Sequence, residues 1–110
     1  MKAAWRRFEE EVCSRFQRAG FKDARVSCQS RGAIGQPDVD AHPFHVECKC
    51  YESGKLSSKD IKDILKRAKR ETKRCDKYTI VVHQDKEGDT TVTMDFKDFM
   101  NLIQEYITKV

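Results

Sequence analysis

Two strand-like segments separated by an amphipathic helical segment limit the fold of this chain more than any other feature. Residues 44–51 alternate between apolar and polar side chains, and residues 78–82 are almost continuously apolar. The segment between them has apolar residues at helical spacing after Ser57 or Ser58, either of which can cap a helix. These apolar residues are Ile61, Ile64, Leu65 and Ala68. An apolar strand that follows a helix is typical of a buried strand reached by a crossover connection, so we expect a mixed sheet with helices packed on it.

Two further amphipathic helices are predicted, one towards each end of the chain. The first ends at Gly20, and its apolar stripe consists of Trp5, Phe8, Val12, Phe16 and Ala19. We expect Trp5 and Phe16 in the core. The last helix runs over residues 96–107, with Asp95 as its cap. Its apolar residues are Phe96, Phe99, Met100, Leu102, Ile103, Tyr106 and Ile107. They offer more apolar surface than one sheet face buries, so this helix is either core or an interface with a second copy of the chain.

Short extended segments complete the predicted order of elements. Residues 24–28 alternate weakly, residues 37–41 begin at a proline, and residues 91–94 follow a turn at residues 87–89. His42-Pro43 is the expected turn between the second and third strands, which makes these two strands a hairpin. The resulting order is α-β-β-β-α-β-β-α, an α/β chain with a mixed α+β sheet.

The length and composition favour one small domain that spans residues 1–110. Hydrophobic residues make up 38% of the 110 residues and charged residues 36%, so the core is thin. No stretch approaches the roughly 20 consecutive apolar residues of a membrane helix, and residues 1–8 show no secretory signal. We therefore expect no membrane association and a cytoplasmic, reducing location. The five cysteines are an odd number and are expected as free thiols.

The positive charge of the chain is concentrated in residues 55–77. This segment has ten basic and four acidic residues, a local charge of 10 − 4 = +6, whereas the whole chain has +4. Lysines at three- and four-residue spacing form one stripe on the predicted second helix: Lys59, Lys62, Lys66, Lys69 and Lys73. Such a stripe binds nucleic-acid phosphates without reading bases, although a solvated helix face gives the same pattern. Lys55 and Arg31, which lies in a glycine-containing loop, are further candidates for phosphate contact.

The candidate chemistry lies on the strand at residues 44–51 and its hairpin partner. Alternation places His45, Glu47 and Lys49 on one face of this strand. The opposite face, expected in the core, has Phe44, Val46, Cys48 and Cys50. Asp38 arrives from the neighbouring strand, so two carboxylates and an ammonium group converge. Carboxylates hold a hard cation such as Mg²⁺, which polarises a phosphate and acidifies water. The set indicates phosphodiester hydrolysis, and a surface salt bridge is the alternative.

With Pro37-Asp38 followed by Glu47-Cys48-Lys49 on a hairpin between two helices, the sequence resembles the PD-(D/E)xK nucleases. The resemblance covers residues 5–83 and implies a restriction-endonuclease-like αβββαβ core, here followed by a C-terminal strand and helix. Within that superfamily the chain is similar to small Holliday-junction-resolvase-like proteins, including phage-type ones. This similarity rests on Gly20-Phe21 after an acidic helix and on the loop Ser30-Arg31-Gly32, and it is compatible with a phage or prophage gene.

The resemblance implies roles for individual residues. Asp38 and Glu47 are expected as ligands of Mg²⁺ or Mn²⁺, with the Cys48 carbonyl as a third ligand. Lys49 is expected as the catalytic lysine. Glu9 is expected as an accessory acid, although two further glutamates follow it in sequence. The implied activity is metal-dependent endonucleolytic cleavage of branched or duplex DNA by a homodimer.

Two other function classes stay open at this stage. The first is a nucleic-acid-binding module that has the same fold and does not cleave. The second is a zinc-stabilised structural or interaction protein, because thiolates and imidazole are preferred zinc ligands. The candidate ligands would be Cys28, Cys48, Cys50, Cys75 and His45. The one-residue spacing of Cys48 and Cys50 on a strand argues against zinc, because it directs both thiols into the predicted core.

Overall fold

A computed structural model describes residues 2–27, 36–51, 55–72 and 78–109 of the protein. These residues form three helices and one five-stranded sheet in the predicted order. The elements are α1 (Ala4–Arg18), β1 (Arg25–Val26), β2 (Val39–Ala41), β3 (Phe44–Cys50), α2 (Ser58–Glu71), β4 (Tyr78–Gln84), β5 (Thr90–Met94) and α3 (Phe96–Lys109). The predicted α+β class with a mixed sheet is therefore confirmed. None of these helices combines the length and the apolar character needed to cross a membrane.

The sheet has the strand order β1-β2-β3-β4-β5. β2 and β3 form the predicted antiparallel hairpin around His42-Pro43, and β4 joins β3 in parallel, with Phe44 opposite Tyr78. A parallel neighbour requires a crossover, and α2 provides it, which explains why an apolar strand follows an amphipathic helix in the sequence. β1 and β5 pair antiparallel at the two edges, so the parallel pair lies inside the mixed sheet.

The hydrophobic core lies between α1 and one face of the sheet. β3 contributes Val46, Cys48 and Cys50, which alternate with side chains that point away from α1, as predicted. The buried apolar residues of α1 are Phe8, Val12 and Cys13. On the other face α2 packs against β4 and β5 and buries Leu65 and Ala68. The sheet is therefore covered on both faces, one helix to each face.

Local sequence signals set the helix ends. The Ser57 hydroxyl accepts a hydrogen bond from the Asp60 N–H over 3.1 Å, and the Asp60 carboxylate accepts one from the Ser57 N–H over 2.8 Å. This reciprocal capping box satisfies two N–H groups at the start of α2, so Ser57 and not Ser58 is the cap. α1 ends before Gly20, whose φ of +115° lies in the left-handed region that favours glycine.

Two expectations about apolar side chains are wrong. Trp5 is exposed rather than in the core, and the Arg6 guanidinium lies 5.1 Å from the centre of its ring. An indole that is stacked by a cation keeps a favourable contact at the surface, so it does not require burial. Phe16 does pack against the core. α3 has no buried residue among those that the structure describes, so the interpretation of α3 as core is also wrong.

Candidate active site

The site lies where the ladder between β2 and β3 ends. Val39 is the first residue of β2 and lies opposite Val46, and the N–H of the preceding Asp38 donates to the Val46 carbonyl over 2.9 Å. Two successive residues thus face one residue of β3, which is the arrangement of a β-bulge and redirects the extra side chain. Pro37 has no N–H with which to continue the ladder. The chain therefore leaves the sheet at the motif residue.

The redirected Asp38 carboxylate meets the edge of β3. The Cys48 N–H donates to Oδ2 of Asp38 over 2.9 Å, which holds the carboxylate in place. The carboxyl groups of Asp38 and Glu47 are close enough to form a hydrogen bond when one of them is protonated. The structure thus brings the two predicted carboxylates together at the end of the hairpin ladder.

This crowding has an electrostatic cost. Burial, followed by the charge of Glu47, raises the pKa of Asp38 to about 7, and the hydrogen bond from the Cys48 N–H opposes the rise. Glu9 contributes a smaller repulsion. Two carboxylates that share a partly buried site need a common proton or a cation between them, because like charges repel strongly where water is excluded.

Glu9 brings a third carboxylate towards the pair from α1. Its side chain is buried, and its Oε1 has no hydrogen-bond partner among the residues that the structure describes. Burial is the largest cause that raises the pKa of Glu9, and the charge of Glu47 adds to the rise, while Arg6 and Lys49 oppose it. Glu10 instead forms an ion pair with Lys2 at the surface, so Glu9 is the acid of this run that turns inward.

Lys49 and Cys48 complete the group. Lys49 is half-buried in β3, and its charge opposes the rise in the pKa of the neighbouring Glu9 and Cys48 groups. Burial, followed by the carboxylates of Asp38, Glu9 and Glu47, strongly raises the pKa of the Cys48 thiol, which stays protonated. Cys48 therefore offers the site its main chain rather than a thiolate. Its carbonyl points to the same edge of β3 as the N–H that binds Asp38.

His45 is a site neighbour whose contacts could not be predicted in full from the sequence. The ring is buried, its Nε2 lies 3.0 Å from Oε1 of Glu47, and its Nδ1 lies 3.3 Å from the Thr72 hydroxyl. The same hydroxyl donates to the Ala68 carbonyl over 2.6 Å. Alternation along β3 indicated the contact between His45 and Glu47. Thr72 follows α2 and is 27 residues away in sequence, so no local pattern indicated its contact.

The lysine stripe divides into paired and unpaired members. Lys59 forms an ion pair with Asp63 at 2.9 Å, and Lys69 forms one with Asp98 at 2.9 Å. Lys62 and Lys66 are exposed and take part in none of the ion pairs between described residues. Both line a cleft of about 620 Å³ between α2 and the strands β4 and β5.

This cleft adjoins the face of the sheet that carries the motif. It is also lined by His83, which pairs with Lys49 in the register of β3 and β4. Lys55 is exposed just before α2. Arg31 and Lys73, together with Cys28 and Cys75, lie outside the described residues.

The donor set fits a hard divalent cation. Within the described ranges, no three His, Cys, Asp or Glu side chains are arranged to hold a metal ion by themselves. Mg²⁺ commonly takes only one or two carboxylates and completes its shell with water and substrate phosphates, so a pair of carboxylates beside a carbonyl suffices. The buried Glu9 oxygen without a partner and the crowded Asp38–Glu47 pair both favour an added positive charge here.

Comparison with known proteins gives one match. A restriction endonuclease family model, Mrr_cat, matches residues 1–95. The matched part extends from α1 to the end of β5 and contains Glu9, Asp38, Glu47 and Lys49, whereas α3 follows it. No curated protein and no solved structure matches the chain.

Proposed function

This chain belongs to the restriction endonuclease family Mrr_cat, a PD-(D/E)xK nuclease family, and from that membership we propose that it is a divalent-metal-dependent endonuclease that hydrolyses DNA phosphodiester bonds. The family is one of nucleases that act on DNA, and the five-stranded mixed sheet with its helices is consistent with a restriction-endonuclease-like fold. The observation that carries the proposal is the crowded Asp38–Glu47 pair at the end of the hairpin ladder.

The metal ligands in this proposal are Asp38 and Glu47 together with the Cys48 carbonyl. All three offer oxygen, which suits Mg²⁺ or Mn²⁺. When bound, such a cation polarises the scissile phosphate and lowers the pKa of a water molecule. Glu9 acts as an accessory acid, because its inward carboxylate can accept a proton or a hydrogen bond from water.

The roles of Lys49 and His45 follow from their positions. Lys49 places a fixed positive charge next to the carboxylates, where it can stabilise the charge that develops on the phosphate. His45 is a positioning residue, because the contact of its Nδ1 with Thr72 holds the ring and its Nε2 contacts Glu47. This support keeps Glu47 aimed at the end of the ladder.

In this proposal the DNA backbone follows the cleft beside α2. Lys62 and Lys66 offer ammonium groups there that pair with no carboxylate of the described residues, and Lys55 extends the positive surface. Lys59 and Lys69 must exchange a carboxylate partner for a phosphate before they can contribute. Lys73 and Arg31 stay candidates from the sequence.

Two finer parts of the proposal are the homodimer and the preference for branched DNA. A four-way junction presents two symmetry-related strands, and a domain this small needs a second copy to reach both. The support for junction preference is the sequence resemblance to Holliday-junction-resolvase-like proteins.

The test is cleavage of an end-labelled four-way junction and of a matched linear duplex, with Mg²⁺, Mn²⁺ or EDTA. We expect cleavage only with metal, and a loss of at least about a hundredfold for Asp38→Asn and for Lys49→Ala. Asp23→Asn and Lys86→Ala change exposed residues away from the site and serve as matched controls.

Each outcome of this test has a distinct meaning. Cleavage by Asp38→Asn at the wild-type rate would refute the site. DNA binding without any cleavage would replace the proposal by a non-cleaving binding module. Equal rates on both substrates would refute the junction preference alone.

A further inference from the structure

α3 is attached to the rest of the chain mainly through polar contacts. Asp98 accepts a hydrogen bond from Lys69 over 2.9 Å, and Glu105 accepts one from the Tyr78 hydroxyl over 2.7 Å. Asp98 and Glu105 are seven residues apart, which is about two helical turns, so they lie on one face of α3. Leu102 lies between them on that face and is half-buried. α3 thus turns its charged side towards the body of the protein.

The apolar side chains of α3 form a stripe that faces solvent. The exposed fractions are 74% for Phe96, 43% for Phe99, 46% for Met100, 70% for Tyr106 and 65% for Ile107. With Ile103, which is half-buried, these residues recur at three- and four-residue spacing, as in the seam between two paired helices. At roughly 150–250 Å² for a large side chain, the five expose on the order of 500 Å² of apolar surface. We call these six residues the α3 stripe.

We propose that the α3 stripe is the contact surface for a second copy of this chain. A stable interface buries about 800 Å² on each partner, and in homodimers about 65% of it is apolar. Such an interface requires about 500 Å² of apolar surface per copy, which the α3 stripe alone supplies. The inference names the surface of the proposed homodimer, and it rests on that part of the proposed function only.

The sequence of the stripe is complementary to itself. Phe99 and Ile107 lie four residues before and after Ile103, and Met100 and Tyr106 lie three residues before and after it. A two-fold axis at Ile103 therefore pairs α3 antiparallel with its copy, so that each aromatic side chain meets an aliphatic or thioether one. A partner of unrelated sequence would have no reason to match this symmetry.

Charge does not oppose this pairing. Lys97 lies on the flank of α3 that faces solvent, on the same side as Gln104 and Thr108. In the antiparallel arrangement Lys97, six residues before the axis, comes level with Lys109 of the second copy. The two lysines are about 120° apart around the helix, so they lie on opposite flanks, and Thr108 is the residue of the second copy nearest to Lys97 on its own flank.

Dimerisation through α3 also leaves the site open. α3 contacts Tyr78 at the start of β4, whereas the β4 neighbour of Lys49 is His83, five residues further along the strand. At about 3.3 Å per residue this separation is about 16 Å. The second copy therefore approaches the end of the sheet that is remote from Lys49, and Phe96 is the point at which the α3 stripe borders the cleft lined by Lys62 and Lys66.

The experiment measures the mass of the full chain by sedimentation equilibrium. We expect a dimer of the 12.8 kDa chain, and a dissociation constant at least about a hundredfold higher for Ile107→Asp, because each copy would desolvate a carboxylate. Thr108→Asp adds the same charge one residue later, on the flank of the helix beside Lys97 of the second copy, and should leave the dissociation constant unchanged or lower it. Phe96→Asp tests the other end of the α3 stripe. Phe96 is the first residue of α3, where an acidic side chain is favourable for the helix, so this change should not unfold α3.

The results separate this inference from the nuclease activity. A wild type that stays monomeric at every concentration would overturn it. So would a dimer that neither Ile107→Asp nor Phe96→Asp weakens, or a dimer that Thr108→Asp weakens equally. Circular dichroism of each variant verifies that the helices are retained. Loss of cleavage in a protein that still dimerises through α3 would count against the proposed activity and not against this surface.

Discussion

Replacing Asp38 with asparagine should stabilise the metal-free protein at neutral and alkaline pH. Burial and the charge of Glu47 raise the pKa of Asp38 from 3.8 to about 7 in the folded state. Between these values the folded protein binds more protons than the unfolded chain. The contribution of protonated Asp38 to the free energy of unfolding is therefore fully present below about pH 4 and is lost as the pH rises through about 7.

The magnitude follows from the shift. One pKa unit corresponds to about 1.4 kcal/mol, so a rise of about three units corresponds to about 4 kcal/mol. Water reaches part of the pair and screens it, so we expect Asp38→Asn to raise the free energy of unfolding by about 2–4 kcal/mol near pH 8. Asparagine is uncharged, can accept the Cys48 N–H and can donate to Glu47, so the local hydrogen bonds survive.

The assay is urea unfolding in EDTA at about pH 4 and about pH 8. Asp63→Asn is the matched control, because Asp63 is an exposed carboxylate of α2 in an ion pair with Lys59. The gain should appear only for Asp38→Asn and only at the higher pH. An Asp38→Asn protein no more stable than wild type near pH 8 would refute the claim that the carboxylate pair is strained. An equal gain in the free energy of unfolding for Asp63→Asn would mean that the effect comes from the change in net charge and not from the carboxylate pair.

Three further predictions concern activity, binding and metal. His45→Phe should slow cleavage by about 10–100-fold with unchanged DNA affinity, because Glu47 loses its hydrogen bond with the His45 ring. His45→Gln should restore part of the rate in the same assay. The double variant Lys62→Ala and Lys66→Ala should lower the slope of log affinity for duplex DNA against log salt concentration by about two in filter-binding titrations. Lys59→Ala should leave this slope unchanged, because it removes an ammonium group that is already held in an ion pair. Glu9→Gln should weaken Mn²⁺ binding in calorimetric titrations by about tenfold, and an unchanged affinity would exclude Glu9 from the site.

The order of elements could be predicted from the sequence because the signals for it are local. The capping box at Ser57, the glycine at position 20 and the alternation along β3 each act within a few residues. The parallel pairing of β3 and β4 also follows from such signals, because a helix between two apolar strands leaves few other connections. The core face of β3 was therefore predictable to the residue.

The candidate site was predictable only in part. Spacing along one strand and across one hairpin brought Asp38, Glu47 and Lys49 into one region. The β-bulge at Asp38 depends on which carbonyl accepts the hydrogen bond from the Asp38 N–H, and no pattern of residues in the sequence indicates that carbonyl. The contact of His45 with Thr72 joins residues 27 apart in sequence, so it arises only when α2 is packed on the sheet.

The orientation of α3 was not predictable because it depends on a distant cation. An amphipathic helix is normally expected to turn its apolar side inward. Here Lys69 of α2 binds Asp98, 29 residues later in sequence, and Tyr78 binds Glu105. These polar anchors leave the apolar side of the helix exposed, which composition alone could not indicate.

The hairpin that brings Asp38 to Glu47 closes a short loop, whereas β4 pairs with β3 across 34 residues. Short loops close at a lower entropic cost, so we expect the hairpin to form early in folding and the parallel pairing to form late. The two carboxylates are then neighbours while water still surrounds them, and their repulsion is small. Burial comes when α1, α2 and β4 assemble around the hairpin. The strain of the site would therefore be incurred in the last step of folding, and removing it should slow unfolding more than it speeds folding.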